Sequence, residues 1–81
     1  MENQERREIK RYSGSEILES PNLLEAGKRV FILTHSGIEK EGTVGVITEF
    51  NKEKNTLFIS SFDGKVKYEI KINNNTEIVF F

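Results

Sequence analysis

From Lys28 onward the chain is written almost wholly in strand-forming residues, cut into short runs by turn signals. RVFILT (29–34), a longer run from about Lys40 to Phe50, TLFISSF (56–62), KVKYEIKI (65–72) and EIVFF (77–81) are rich in β-branched and aromatic side chains. Between them stand Ser36-Gly37, a loop bounded by Asn51 and Asn55, Asp63-Gly64 and the triplet Asn73-Asn74-Asn75. Each is a turn signal, because glycine and asparagine tolerate backbone angles that other residues avoid. KVKYEIKI alternates, so Val66, Tyr68, Ile70 and Ile72 are expected to face inward and Lys65, Lys67, Glu69 and Lys71 outward. RVFILT does not alternate, and its strand is expected to be buried on both faces. Gly42 and Gly45 inside the long second run predict a bulge or a sharp bend.

Helix signals are confined to the stretch before these runs. Ser13 with Glu16 three residues on fits a capping box ahead of Ile17 and Leu18. Ser20, Pro21 and Gly27 fit the N-cap, first position and end of a short second helix, with Leu23 and Leu24 buried. Residues 1–12 are mostly charged and polar and lack the apolar surface to offset their ordering entropy. We expect a flexible charged arm over 1–12 and one domain over 13–81. The fold expected is mainly β: a short N-terminal helix, then a strongly bent five-stranded small barrel of Sm-like or SH3-like type.

Composition narrows the function classes. The chain has 81 residues, no cysteine and a single histidine, His35. Disulfides are excluded, and no ligand set for a metal is spaced along the sequence. With so small a core, association with further copies is the remaining staple, so a homo-oligomer is expected. The formal net charge is −1 with 31% charged residues, which is not the basic footprint of a general nucleic-acid binder. Any nucleic-acid role must use a local patch. No apolar run approaches the ~20 residues of a membrane span. The charged N-terminus has no apolar stretch behind it, so a cytoplasmic protein without membrane partners is expected. His35 and Ser36 lack an orienting acid, and paired carboxylates would need an enclosed cleft. No catalysis and no cofactor are expected.

The run Gly45, Val46, Ile47, Phe50, Asn51, Asn55 and Leu57 resembles the first motif of the Sm/Sm-like superfamily, which includes the bacterial Hfq proteins. That motif has a glycine opening a bent second strand, an aromatic and an aspartate ending it, and an asparagine four positions later. SPNLLEA resembles the helix preceding the first strand in Hfq-type members. The resemblance covers residues 20–81. Asparagine stands here for the aspartate, and Glu53 for the stacking residue. Asn73-Asn74 replace the second motif's Arg-Gly, and the Hfq-type Lys-His pair is absent.

The resemblance implies a ring-forming module that binds single-stranded RNA. Asn51, Lys54 and Asn55 would act with Lys71, Asn73 and Asn74 on one rim. It also implies an oligomer edge comprising Tyr68, Ile70, Val79, Phe80 and Phe81, because the fifth strand of such rings pairs with the neighbour's fourth. The residues alone leave a plainer reading open, in which the asparagines are turn residues and the lysines protect an edge strand. The function would then be a protein-interaction or regulatory module with no nucleic-acid ligand.

Overall fold

The computed structural model describes residues 9–36 and 38–81, and shows one antiparallel sheet of six strands with little helix. In chain order these are β1 (Lys10–Ser13), a six-residue helix α1 (Gly14–Glu19), β2 (Arg29–Ser36), β3 (Glu39–Asn51), β4 (Thr56–Ser60), β5 (Lys67–Lys71) and β6 (Thr76–Phe80). The strand order is β1-β6-β2-β3-β4-β5, and β1 and β5 are its two ends, so the sheet is not closed.

All five expected β runs form strands. The first described element, however, is a sixth strand and not a helix. Lys10, Arg11 and Tyr12, expected in the charged arm, pair with Phe80, Val79 and Ile78 of β6. Residues 1–8 of that arm, and Gly37 of the first hairpin, lie outside the described residues.

The capping box at Ser13 is formed in full. The Glu16 amide donates to Ser13 Oγ at 3.2 Å, and the Ser13 amide to Glu16 Oε1 at 2.8 Å. The expected second helix shrinks to one 3-10 turn, Pro21–Leu23, and Ser20 makes no side-chain cap. Its continuation is prevented by β3. The Gly27 amide donates to the Ile47 carbonyl at 2.8 Å, and the Ile47 amide to the Lys28 carbonyl at 2.9 Å. These bonds tie residues 27–28 to β3 through a turn, closed by the Lys28 amide on the Glu25 carbonyl at 3.3 Å, in which Gly27 has φ +94°.

Two features curl the sheet. The first is β3, thirteen residues long, which pairs with β2 through Val46 and with β4 from Val46 onward. Its register slips between Ile47 and Glu49, so Thr48 is the extra residue of a bulge. At the bend a Cβ on Gly45 would overlap the Ser60 carbonyl oxygen and press on Ile59. The second is the link from Lys71 to Thr76. Five residue steps reach at most ~18 Å. Four strand spacings separate β5 from β6, which is ~19 Å in a flat sheet. Because the link also contains a turn, with the Thr76 amide on the Asn73 carbonyl at 3.1 Å, the sheet must bend for the link to close.

The core lies inside this curl. Val30, Ile32, Ile47, Leu57, Ile59 and Ile78 come from the strands' inner faces, Ile17 from α1, and Leu24 and Ile72 from the connections. The expected double burial of RVFILT is realised on one face only. Val30 and Ile32 are fully buried, whereas Phe31 and Leu33 are half-buried on the outer face. Among the described residues no helix is long and apolar enough to cross a membrane.

Gly45→Ala is expected to cost about 1–3 kcal/mol, because the new methyl meets backbone that cannot step aside. Gly42→Ala should cost less, since its methyl would meet only the end of the Phe31 ring at 2.9 Å. Urea unfolding midpoints compare the two; equal losses would contradict the close approach at Gly45.

Candidate functional site

The asparagine loops serve the fold before anything else. Asn51 ends β3 with its Oδ1 accepting the Lys54 amide at 3.1 Å, a turn closed by the side chain. Asn55 has φ 51°, in the left-handed region, and its carbonyl accepts the Ile72 amide at 2.8 Å. Asn73 Oδ1 accepts the Asn75 amide at 2.8 Å, and the Asn73 amide donates to Thr76 Oγ1 at 3.1 Å. Asn74 Oδ1 accepts the Ser15 hydroxyl of α1 at 2.7 Å. The Asn55–Ile72 bond joins the first loop to the chain just before the second. The side-chain oxygens of Asn51, Asn73 and Asn74 are engaged within the chain. Lys54 and Lys71 are exposed at the turn and at the end of β5, where Lys71 stands opposite Thr56.

The expected oligomer edge divides in two. Tyr68 and Ile70 lie on β5, which has β4 on one side and no strand on the other among the described residues. Val79 and Phe80 lie on β6, which has β2 on one side and β1 on the other. Their backbone edge is occupied by the chain's own residues 10–13.

That pairing builds a cleft the sequence did not reveal. Lys10, Tyr12, Leu23, Lys28, Phe80 and Phe81 line an open cavity of about 360 Å³. Tyr12 and Phe80 pack edge to face with centroids 5.7 Å apart. Lys28 Nζ lies 5.6 Å from the centre of the Phe80 ring, and also 3.6 Å from Glu25 Oε1. The Arg29 guanidinium stands 5.4 Å from the Phe81 ring. Cations therefore lie against the rings, held by their π faces. The residues come from the two ends of the chain and the turn before β2, so no local motif could announce them. The only sequence signal was the apolar Phe80-Phe81 pair.

His35 lies at the end of β2, where its amide donates to the Asn75 carbonyl at 3.1 Å. Among the described residues, no three His, Asp or Glu side chains are grouped to hold a metal. Comparison with protein-family models, curated proteins and solved structures gives no match for this chain.

Two predictions follow from the loops. Asn55→Ala should lose about 1 kcal/mol or more through its left-handed backbone, while Asn55→Gly should cost little. Equal unfolding midpoints for the two variants would contradict the φ at this position.

At the β4–β5 hairpin, Asp63 Oδ1 accepts the Ser61 hydroxyl at 2.6 Å and the Lys65 amide at 3.0 Å. These bonds, Ser61 first, favour the charged carboxylate and hold its pKa below the ordinary 3.8. The folded value is then the lower one, so the contribution is present above about pH 3.8 and lost as pH falls through the depressed value. Thermal unfolding followed downward from pH 5 should show an acid-side loss that is smaller in Asp63→Asn; identical pH profiles would refute it.

Proposed function

We propose that this chain is a non-enzymatic binding module of Sm-like architecture, and that it holds a short single-stranded RNA in the Tyr12–Phe80–Phe81 cleft. The observation that carries this reading is one open cavity in which Lys10 and Lys28 stand with the rings of Tyr12, Phe80 and Phe81. Single strands are gripped by rings on which bases stack and by cations that follow the phosphates. The bent β3 with Gly45, and Phe50, Asn51 and Asn55 at its end, supports the Sm-like part of the reading. Ring assembly of the Sm type would pair β6 with a neighbour, and would require Lys10–Ser13 to leave that edge. RNA binding in the cleft needs no such step, and it moves the contact away from the asparagine loops.

A second reading, a protein-interaction module, is favoured by the outer sheet face. Phe31, Leu33, Val46 and Val79 are half-buried there, and Val44 is 43% exposed. Such a face fits an apolar protein surface better than a polyanion.

Anisotropy of a labelled U- or A-rich octamer at low ionic strength separates the two. Wild-type binding should weaken as salt rises. Phe81→Ala should weaken it roughly 5- to 100-fold, as loss of one stacking ring does. Lys28→Ala should weaken it and flatten the salt dependence. Lys54→Ala and Val44→Ser should leave it unchanged. Absence of salt-sensitive binding by the wild type would remove the RNA reading. Sensitivity confined to Lys54 would return the contact to the asparagine loop.

A further inference from the structure

The open edge at β5 carries a sequence that is self-complementary. Val66-Lys67-Tyr68-Glu69-Ile70 has apolar residues at its ends, opposite charges inside them and tyrosine at its centre. Reversed, it presents the same pattern with the charges exchanged. Tyr68 is 37% exposed and Val66 47% exposed, although both belong to the row that faces inward. Tyr68 stands opposite buried Ile59, and Ile70 opposite buried Leu57. The apolar row of the inner face therefore continues to the edge of the sheet and stops there uncovered.

The ladder already formed with β4 decides which backbone groups remain. The Ser61 amide donates to the Val66 carbonyl and the Ile72 amide to the Asn55 carbonyl, both at 2.8 Å. With the observed register, Val66, Tyr68, Ile70 and Ile72 thus turn their peptide groups towards β4. Lys67, Glu69 and Lys71 turn theirs to the free edge. An antiparallel partner must meet these three positions with outward-facing positions of its own.

We infer that β5 pairs antiparallel with β5 of a second copy of this chain, in the register that places Tyr68 on the twofold axis. Lys67 of each copy then faces Glu69 of the other, exchanging both main-chain bonds with an ion pair above them. Val66 faces Ile70, and the two Tyr68 side chains meet as a pair without hydrogen bonds. The like-charged pair, Lys65 with Lys71, falls at the two ends, where long side chains splay into water.

The neighbouring allowed registers fit less well. Centring on Glu69 opposes Glu69 to itself and Lys67 to Lys71. Centring on Lys67 opposes the two Lys67 side chains. Centring on Ile70 pairs Glu69 with Lys71, but it sets Tyr68 opposite Ile72, already buried in the core, and exposed Val66 opposite polar Asn74. Charge and the exposed apolar row together select the register. The other end of the sheet is a poorer match: β1 is Lys-Arg-Tyr-Ser, with no acidic residue to meet Lys67 or Lys71. This association is independent of the RNA proposal and engages none of the cleft residues.

Charge exchange tests it. Sedimentation velocity over a range of concentrations at low ionic strength should show the wild type moving from one chain to two. Lys67→Glu and Glu69→Lys should each raise the dissociation constant tenfold or more. The double exchange, Lys67→Glu with Glu69→Lys, should restore it. Both positions are exposed, and unchanged far-ultraviolet circular dichroism would show that the single variants fold.

The chain has no cysteine, which allows a second readout. Paired positions without hydrogen bonds lie with Cα atoms ~4.5 Å apart, within disulfide reach. Oxidation of Tyr68→Cys should therefore give a covalent dimer, and Glu53→Cys on the β3–β4 turn should not. A wild type that stays single at high concentration would overturn the inference. So would a double exchange that fails to restore association, or a mass of five to seven chains unaffected by these variants.

Discussion

The connection from Lys71 to Thr76 is the constraint on which the rest of the molecule depends. It must carry the chain from one end of a five-strand arc to the other with too few residues to cross a flat sheet. Once the sheet has curled to let it pass, the inner faces of β2, β3, β4 and β6 enclose one core, and Ile72 seals it from within the link. The link is held from both sides. Asn73 closes its own turn, Asn74 is tied to Ser15 of α1, and Asn75 receives the end of β2 through the His35 amide. Gly14 completes the contact, because a Cβ there would overlap the Asn73 carbonyl. The helix and the link thus meet with no room for a side chain between them.

The strands were legible because their stability is written locally, in β-branched residues between turn residues. The capping box was legible for the same reason, since Ser13 and Glu16 satisfy each other over three residues. β1 was not. Lys-Arg-Tyr-Ser has no apolar alternation and no turn signal, and it becomes a strand only because β6 offers it an edge and Phe80 offers Tyr12 a ring. The helix expected after Pro21 failed in the opposite direction. Its local signals were good, but hydrogen bonding to Ile47 held Gly27 and Lys28 in a turn against β3, and tertiary structure overrode propensity.

The same division separates the expected site from the one observed. Asn51, Asn55, Asn73 and Asn74 attract notice in the sequence because asparagine is rich in hydrogen-bonding groups. The structure uses the side-chain oxygens of Asn51, Asn73 and Asn74 internally, to close turns and tie the link to α1, and Asn55 for its left-handed backbone. A short β fold needs such residues wherever its chain reverses, so asparagine density reports the number of turns more readily than a ligand. The cleft is silent in the sequence because it is assembled by topology. β1 reaches Phe80 only after the chain has returned as the last strand, and Lys28 arrives from the turn before β2.

A curled but unclosed sheet has two ends to protect, and this chain treats them differently. At one end β1 is added over β6, which with Phe81 carries four consecutive apolar residues, Ile78 to Phe81, that would otherwise invite pairing with any strand. β1 then presents Lys10 and Arg11 in their place. At the other end nothing comparable is laid over β5 among the described residues, and its outward row is Lys67, Glu69 and Lys71. Three lysines would repel every copy of the chain. The glutamate at the middle position removes that uniform repulsion and allows a register in which Lys67 and Glu69 meet opposite charges. An edge guarded only against aggregation has no need of that glutamate, nor of Val66 and Tyr68 kept exposed in the inner row. The asymmetry between the two ends is what a sheet selective for one partner requires: one edge silenced by its own chain, the other charged so that few strands fit it.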